Sequence, residues 1–308
     1  MRIKKYAIGI YLGGTFVNYA LISNLGEILF DGKLPIGRNA TCDKIVETIR
    51  KSIQEVIDNA TKEEIKLEGI GIGTPGIVDS GVVLGGADNL DGWEDIDLGT
   101  IFSDKFSIPV YVDNDANVMG LGETAFGAAK NCSDVIFITV GTGIGGAIVI
   151  DGKLYGGYKN RGGELGHLTI HHDGVNCNCG GRGCLEAYAS TSALVKQYAE
   201  KTGADITKID GRYIIQKFKE NESDAVACLK THTDYLGHGI AGFINTFAPQ
   251  KVVIGGGISE SGKFYIDMIK ESAFKYAMPD CSVNTDIVSA SLGNNAGCLG
   301  AAYLVLKD

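Results

Sequence analysis

Proline and tryptophan are scarce in this chain of 308 residues, with five prolines and a single tryptophan, Trp93. No stretch rich in Pro or Ser divides it, so no extended linker is expected. No Lys/Arg cluster interrupts the net charge of −9. That argues against nucleic acid as a partner, because phosphate binding needs a concentrated basic surface. No apolar run approaches the roughly 18 residues that cross a bilayer. The opening MRIKKYAIGI is basic, but its apolar run stops at Gly13 and Gly14, too soon for a signal sequence. It reads as a first strand, and a cytoplasmic protein with no membrane partner is expected.

The chain is 44% hydrophobic, enough for a sizeable core, and its length favours two domains. Eight cysteines are present. A chain of this size in a reducing compartment has no need of disulfides. Cys42, Cys132, Cys228, Cys281 and Cys298 are scattered and read as small buried residues. Cys177, Cys179 and Cys184 crowd into eight residues and need a different explanation.

The 44 glycines fall in tight groups. Residues 6–10, the turn at Gly13, Gly14 and Thr15, and residues 17–22 read as strand, turn, strand. The pattern recurs at 135–139, the glycine run 141–146 and 147–150. Two such hairpins point to a duplicated architecture. Between them, Ile45, Val46, Ile49, Ile53, Val56 and Ile57 give 43–59 a helical period with one buried face. Strands are expected at 69–73 and 109–112. Helices are expected at 191–201, with Ser190 as cap and Gly203 as stop, and at 225–247, 264–276 and 296–306. A strand at 252–254 runs into Gly255, Gly256 and Gly257. Strands alternating with helices mean an α/β protein.

Cys177, Cys179 and Cys184, with His167 ten residues upstream, have the composition of a closed tetrahedral Cys₃His zinc site. Gly180, Gly181 and Gly183 let the backbone wrap a small ion. Free thiols in a loop are the alternative, and His171 and His172 are rival fourth ligands. A complete Cys₃His set leaves no open coordination position, so the zinc would be structural.

Three glycine turns end apolar strands, at Gly13–Thr15, Gly141–Gly143 and Gly255–Gly257. Such turns let backbone N–H groups approach phosphate oxygens. None is a Walker loop or a dinucleotide fingerprint. Asp113, Asn114 and Asp115 sit at a strand end, where open α/β sheets place ligand groups. They also suit a helix cap. Glu164 and Glu186 flank the cysteine segment and could accept hydrogen bonds from vicinal hydroxyls, as a sugar would offer. Asn89 and Trp93 could add an amide and a wall, and Trp93 could equally be core.

Taken in order, these motifs resemble the ROK family of sugar kinases and related repressors. The specific part is GELGH at 163–167 followed by CNCGGRGCLE at 177–186. Leu12–Thr15, Gly73–Gly76, Asn114–Asn117 and Gly255–Gly257 follow the family pattern as well. The resemblance implies an actin/hexokinase-like (ribonuclease H-like), duplicated two-domain α/β fold with a central cleft. Residues 1–117 would form one domain, completed by a C-terminal helix at 294–308, and 118–293 the larger one. It implies ATP-dependent phosphorylation of a hexose with Mg²⁺, in a homodimer. Asp115 would be the catalytic base. Gly76, Asn89, Asn114, Asp115, Glu164, His167 and Glu186 would hold the sugar, His167 doing so while ligating zinc. Gly13, Gly14, Thr15, Gly141, Thr142 and Gly143 would hold phosphates, and Gly255, Gly256 and Gly257 would lie against the nucleoside.

Repressors of the family carry an additional N-terminal DNA-binding segment. With a first strand expected at about residue 6, no such segment is expected here. Family kinases start the first phosphate turn with Asp, where this chain has Tyr11. A phenol lacks the hard anionic oxygen that Mg²⁺ takes as ligand. Two functions therefore stay open: a competent glucokinase-like enzyme, with Asp113 compensating, or a sugar-binding pseudokinase or sensor.

Overall fold

A computed structural model describes residues 3–37, 40–87 and 90–307. Asn89 lies outside the described residues. The chain divides into two compact units. The first comprises Met1–Asn131, Leu154–Gly162 and Ser291–Asp308, and the second Cys132–Lys153 and Gly163–Ala290.

The first unit opens with three antiparallel strands, β1 (Tyr6–Leu12), β2 (Phe16–Ser23) and β3 (Ile28–Pro35). Helix α1 (Cys42–Lys62) leads to β4 (Leu67–Thr74), parallel to β1. The 3.6-residue period is realised: Ile45, Ile49, Ile53 and Val56 are buried, and Thr41 caps the helix. A small antiparallel sheet follows, β5 (Ile77–Asp79), β6 (Val82–Gly85) and β7 (Ile96–Asp97). Then come α2 (Leu98–Phe106), β8 (Val110–Asn114) and α3 (Asp115–Phe126). The main sheet has the order β3-β2-β1-β4-β8.

The second unit repeats this plan. It contains β9 (Val135–Val140), β10 (Ile144–Ile150), β11 (Lys153–Leu154), α4 (Leu185–Ala189), α5 (Thr191–Thr202), α6 (Gly211–Lys219), α7 (Ser223–Phe247), β12 (Lys251–Gly255), α8 (Lys263–Tyr276), α9 (Pro279–Ser282) and β13 (Asp286–Ser289). Its sheet order is β11-β10-β9-β12-β13. Each sheet thus joins an antiparallel hairpin to two further strands parallel to the first, which is the duplication that the two glycine hairpins imply. The second hairpin's return strand starts at Ile144 rather than at 147. Gly145 and Gly146 pair with Thr139 and Ile138 and belong to the ladder, not to the turn.

The last helix, α10 (Ala296–Leu306), belongs to the first unit. It is buried on nearly every side between the sheet and α3. Such close approach needs glycine: a Cβ on Gly71 would collide with the Ala301 carbonyl, and one on Gly300 with that of Val118. The first unit runs to Asn131 rather than ending at 117, because α3 packs along α10. The fully buried Glu123 carboxylate strengthens that join by accepting N–H groups from Ala128, Ser291 and Leu292. Among the described residues, no helix is long and apolar enough to cross a membrane.

Candidate functional site

In the second unit, the ligand atoms of His167, Cys177, Cys179 and Cys184 all lie within 4.8 Å of one another. Cys179 Sγ is 3.7 Å from Cys184 Sγ, and Cys177 Sγ is 3.7 Å from His167 Nδ1. A tetrahedron with zinc–sulfur bonds of about 2.3 Å has edges of about 3.8 Å, close to the two 3.7 Å separations, so the donor set is compatible with a zinc ion. Burial pushes the Cys184 thiol up to about 12 and raises Cys177, while the Gly181 N–H lowers Cys179. The rival histidines are engaged elsewhere. His171 packs against the rings of Tyr188 and Tyr235, and exposed His172 pairs with Asp173.

Local backbone explains why the cysteine segment closes up. Gly180 and Gly183 adopt positive φ (85° and 70°). A Cβ on Gly183 would also collide with the His171 carbonyl, so this crossing requires glycine. His167 closes a one-turn helix at Leu165–His167, with its N–H on the Glu164 carbonyl (3.0 Å). The Glu164 side chain is exposed. Glu186, in the first turn of α4, is only two residues past Cys184. Its Oε2 accepts the Ile144 N–H at 2.8 Å, just beyond the turn at 141–143.

Two of the three glycine turns converge on one cavity of about 490 Å³ in this unit. Gly141, Thr142 and Gly257 line it. Its walls are largely apolar, with Val140, Val195, Ile206, Ile209 and Ile258, and Asp210 and Arg212 also line it. The approach of the 255–257 turn to the end of β9 depends on Gly256, which has φ +89° and would meet the Val140 carbonyl with any Cβ. Thr191 opens α5 with its N–H on the Gly141 carbonyl (2.8 Å). Its hydroxyl is buried without a hydrogen-bond partner.

In the first unit, Asn114 ends β8 and caps α3. Its Oδ1 accepts the N–H groups of Ala116 and Asn117 (2.9 and 3.3 Å), and its Nδ2 donates to the Gly76 carbonyl (2.9 Å). Asn114 is therefore the helix cap that the sequence allows. Asp115 follows as the first residue of α3. Asp113 accepts from Asn117 Nδ2 and from the Asn114 N–H, and burial raises its pKa.

Tyr11 lies in register with Gly73, and Gly73 with Asp113. Tyr11 and Asp113 thus share a face but stand two strands apart, about 10 Å. The Tyr11 ring packs on Gly297, and its hydroxyl donates to Met119 Sδ (3.3 Å). Burial, then the Asp115 charge, push its pKa upward, so it is neutral at physiological pH. The turn of Gly13, Gly14 and Thr15 lines a separate, more polar cavity of about 430 Å³ with Asn18, Asp31, Lys33 and Asn295.

Sequence reasoning missed the 206–212 wall, the Thr191 hydroxyl and the Glu186 link to the turn. The only signal for the wall was an Asp210 cap before α6. Trp93 is core: it is 2% exposed and its Nε1 donates to Thr74 Oγ1 at 2.9 Å. Of the scattered cysteines, Cys228 and Cys298 are buried, and Cys42, Cys132 and Cys281 only partly so.

Two sheets of one plan, each opened by a glycine hairpin, define a two-domain α/β protein of the actin/hexokinase-like class. The ROK family model matches residues 7–308, and the chain belongs to the ROK family. It is 32% identical to a glucokinase of Halalkalibacterium halodurans, over 99% of this chain and 96% of that one. It is 33% identical to a xylose repressor of Bacillus spizizenii, over 98% of this chain and 77% of that one. Among solved structures, a ROK hexokinase from Thermus thermophilus superposes with a TM-score of 0.86 at 30% identity, covering 99% of this chain and 100% of that one. A ROK glucokinase from Streptomyces griseus, in complex with glucose and AMPPNP, superposes with a TM-score of 0.83 at 32% identity, covering 98% and 100%.

Proposed function

We propose that this chain is a glucokinase-like sugar kinase that phosphorylates a hexose with ATP and Mg²⁺ around a structural zinc ion. The observation that carries the reading is the whole-length likeness to a glucokinase that holds both glucose and a nucleotide analogue. ATP with Mg²⁺ supplies the phosphoryl group and the counter-charge. The protein supplies positioning and a base. Asp115 accepts the proton of the attacking hydroxyl, next to Asn114. Gly76, Asn89, Asn114, Glu164, His167 and Glu186 hold the other hydroxyls. The turns 13–15 and 141–143 receive phosphates. The apolar cavity beside Gly257 suits a nucleobase, with the Thr191 hydroxyl at hand as a polar contact. His167, Cys177, Cys179 and Cys184 hold zinc, which contributes folding energy and fixes the loop. Family likeness leads us to a cytoplasmic homodimer.

A second reading is a catalytically impaired sugar-binding pseudokinase or sensor, and Tyr11 favours it. Its neutral phenol is packed under α3 and offers Mg²⁺ no anionic oxygen. Asp113 is a weak substitute, since its carboxylate is committed to Asn117 and the Asn114 N–H. A coupled assay with ATP, Mg²⁺ and a panel of hexoses decides between the two. Turnover at about 1–100 s⁻¹ on any hexose supports the kinase. Hexose binding by calorimetry with no turnover selects the sensor, and no hexose binding at all sinks both.

A further inference from the structure

One side chain connects the metal loop to the nucleotide-side turn. Glu186 Oε2 accepts the Ile144 N–H at 2.8 Å. That N–H is the first after the turn of Gly141, Thr142 and Gly143. The fit is tight, because a Cβ on Gly143 would collide with the same carboxylate oxygen. The turn's exit is packed on its other side: Gly166, next to His167, lies against the Ile144 carbonyl so closely that a Cβ there would collide. Ile144 is therefore bonded through its N–H to Glu186, two residues past Cys184, and packed through its carbonyl against Gly166, next to His167. The turn's entry is held by Thr191 N–H on the Gly141 carbonyl.

A carboxylate has two oxygens and about four acceptor sites. Oε2 serves the turn, and the rest of the group remains for a ligand hydroxyl. We infer that Glu186 is a two-ended positioning residue: it holds the turn at 141–143 with one oxygen and a hexose hydroxyl with the other, so that hexose binding stiffens the turn that receives the nucleotide. The inference rests on the hexose-binding reading above. It assigns the turn a partner that changes when sugar binds, where a purely structural contact would not. By linkage, the nucleotide strengthens hexose binding by the same factor.

Amide hydrogen exchange on the full chain, with and without saturating hexose, reads this directly. The hexose used is the tightest binder in the panel. In the wild type, peptides covering 141–146 are expected to exchange about fivefold more slowly or better with hexose, and Glu186→Gln to lose most of that protection when saturated. Calorimetry with AMPPNP and Mg²⁺ provides the second readout: hexose tightens nucleotide binding about fivefold or more in the wild type and less than about twofold in the variant. Gly143→Ala attacks the same contact from the turn side and leaves the carboxylate charge intact. It should lose the coupling while still binding hexose and retaining its metal.

Unchanged exchange at 141–146 in hexose-saturated wild type overturns the inference, as does full protection surviving in both variants. A wild type that binds hexose but no nucleotide removes the kinase reading and leaves the exchange result to decide this one. A wild type that binds no hexose removes both.

Discussion

The turn at 13–15 closes β1 onto β2 with the Gly13 N–H on the Phe16 carbonyl, and the turn at 141–143 closes β9 onto β10 with the Gly141 N–H on the Gly143 carbonyl, each at 2.9 Å. Both follow the first strand of a sheet with the same strand order. Their surroundings differ. The second turn exits onto a carboxylate, Glu186, and faces an apolar cavity. The first is preceded by the neutral Tyr11, whose hydroxyl reaches only a methionine sulfur, and it lines a polar cavity. Strand order has been duplicated while turn length and electrostatics have diverged. A hairpin is a local construction, whereas the charge around it comes from other elements and changes one side chain at a time.

Four predictions test whether this difference decides function. The largest concerns the base: Asp115→Ala should lower kcat by about 10² to 10⁴, the usual contribution of general acid–base catalysis. Hexose affinity by calorimetry should change far less. Retention of near wild-type turnover would assign the base to another residue. Next is the metal loop. Cys184→Ser, or chelation, should lower hexose affinity at least tenfold and melt the protein at lower temperature, because the loop carries both Glu164 and Glu186. A destabilisation of about 3 kcal/mol corresponds to roughly 6–12 °C for units of this size. Metal analysis of wild-type protein purified without chelator should return about one zinc per chain.

A smaller effect is expected at Tyr11. Tyr11→Asp should raise nucleotide-dependent turnover about tenfold or more if the phenol limits metal binding. Tyr11→Phe should change it less than about twofold, since a contact to a thioether sulfur is weak. Equal activity in all three proteins would show that position 11 is immaterial. The smallest expected effect comes from adding one methyl to each turn. Gly141 has open space where a Cβ would be, and Gly13 has only ordinary contacts at 3.5 Å and beyond. Neither Gly13→Ala nor Gly141→Ala should cost the fold much, so a loss of nucleotide affinity reports a phosphate at that turn. Loss at Gly141→Ala alone would sharpen the contrast between the hairpins. Equal losses would break it.

Much of the fold was legible because the signals are local and periodic. The apolar spacing from Ile45 to Val56 places α1, Ser190 and Gly203 bracket α5, and the apolar stretch 296–306 coincides with α10. The two hairpins announce the duplicated sheets. The strands β5–β7 and the helices α2, α4 and α6 carry too few residues for a period to stand out. Trp93 was ambiguous for a different reason: a lone aromatic fits a binding wall or a core, and only its Nε1 bond to Thr74 and its burial decide for the core.

The Cys/His cluster is a case in which sequence alone was nearly sufficient. Three thiols within eight residues and a histidine ten before them have few ways to be close without sharing an ion. The structure removes His171 and His172 from contention and brings the four donors within 4.8 Å. What the sequence could not hold is any relation between distant positions. Glu186 meets Ile144 across 42 residues, residues 206–212 close a cavity against 140–142 and 257–258, and Tyr11 finds Met119 across 108. Packing and hydrogen bonding across sheets and loops decide those contacts. A chain of letters encodes propensity and spacing, and only the folded backbone turns them into distances.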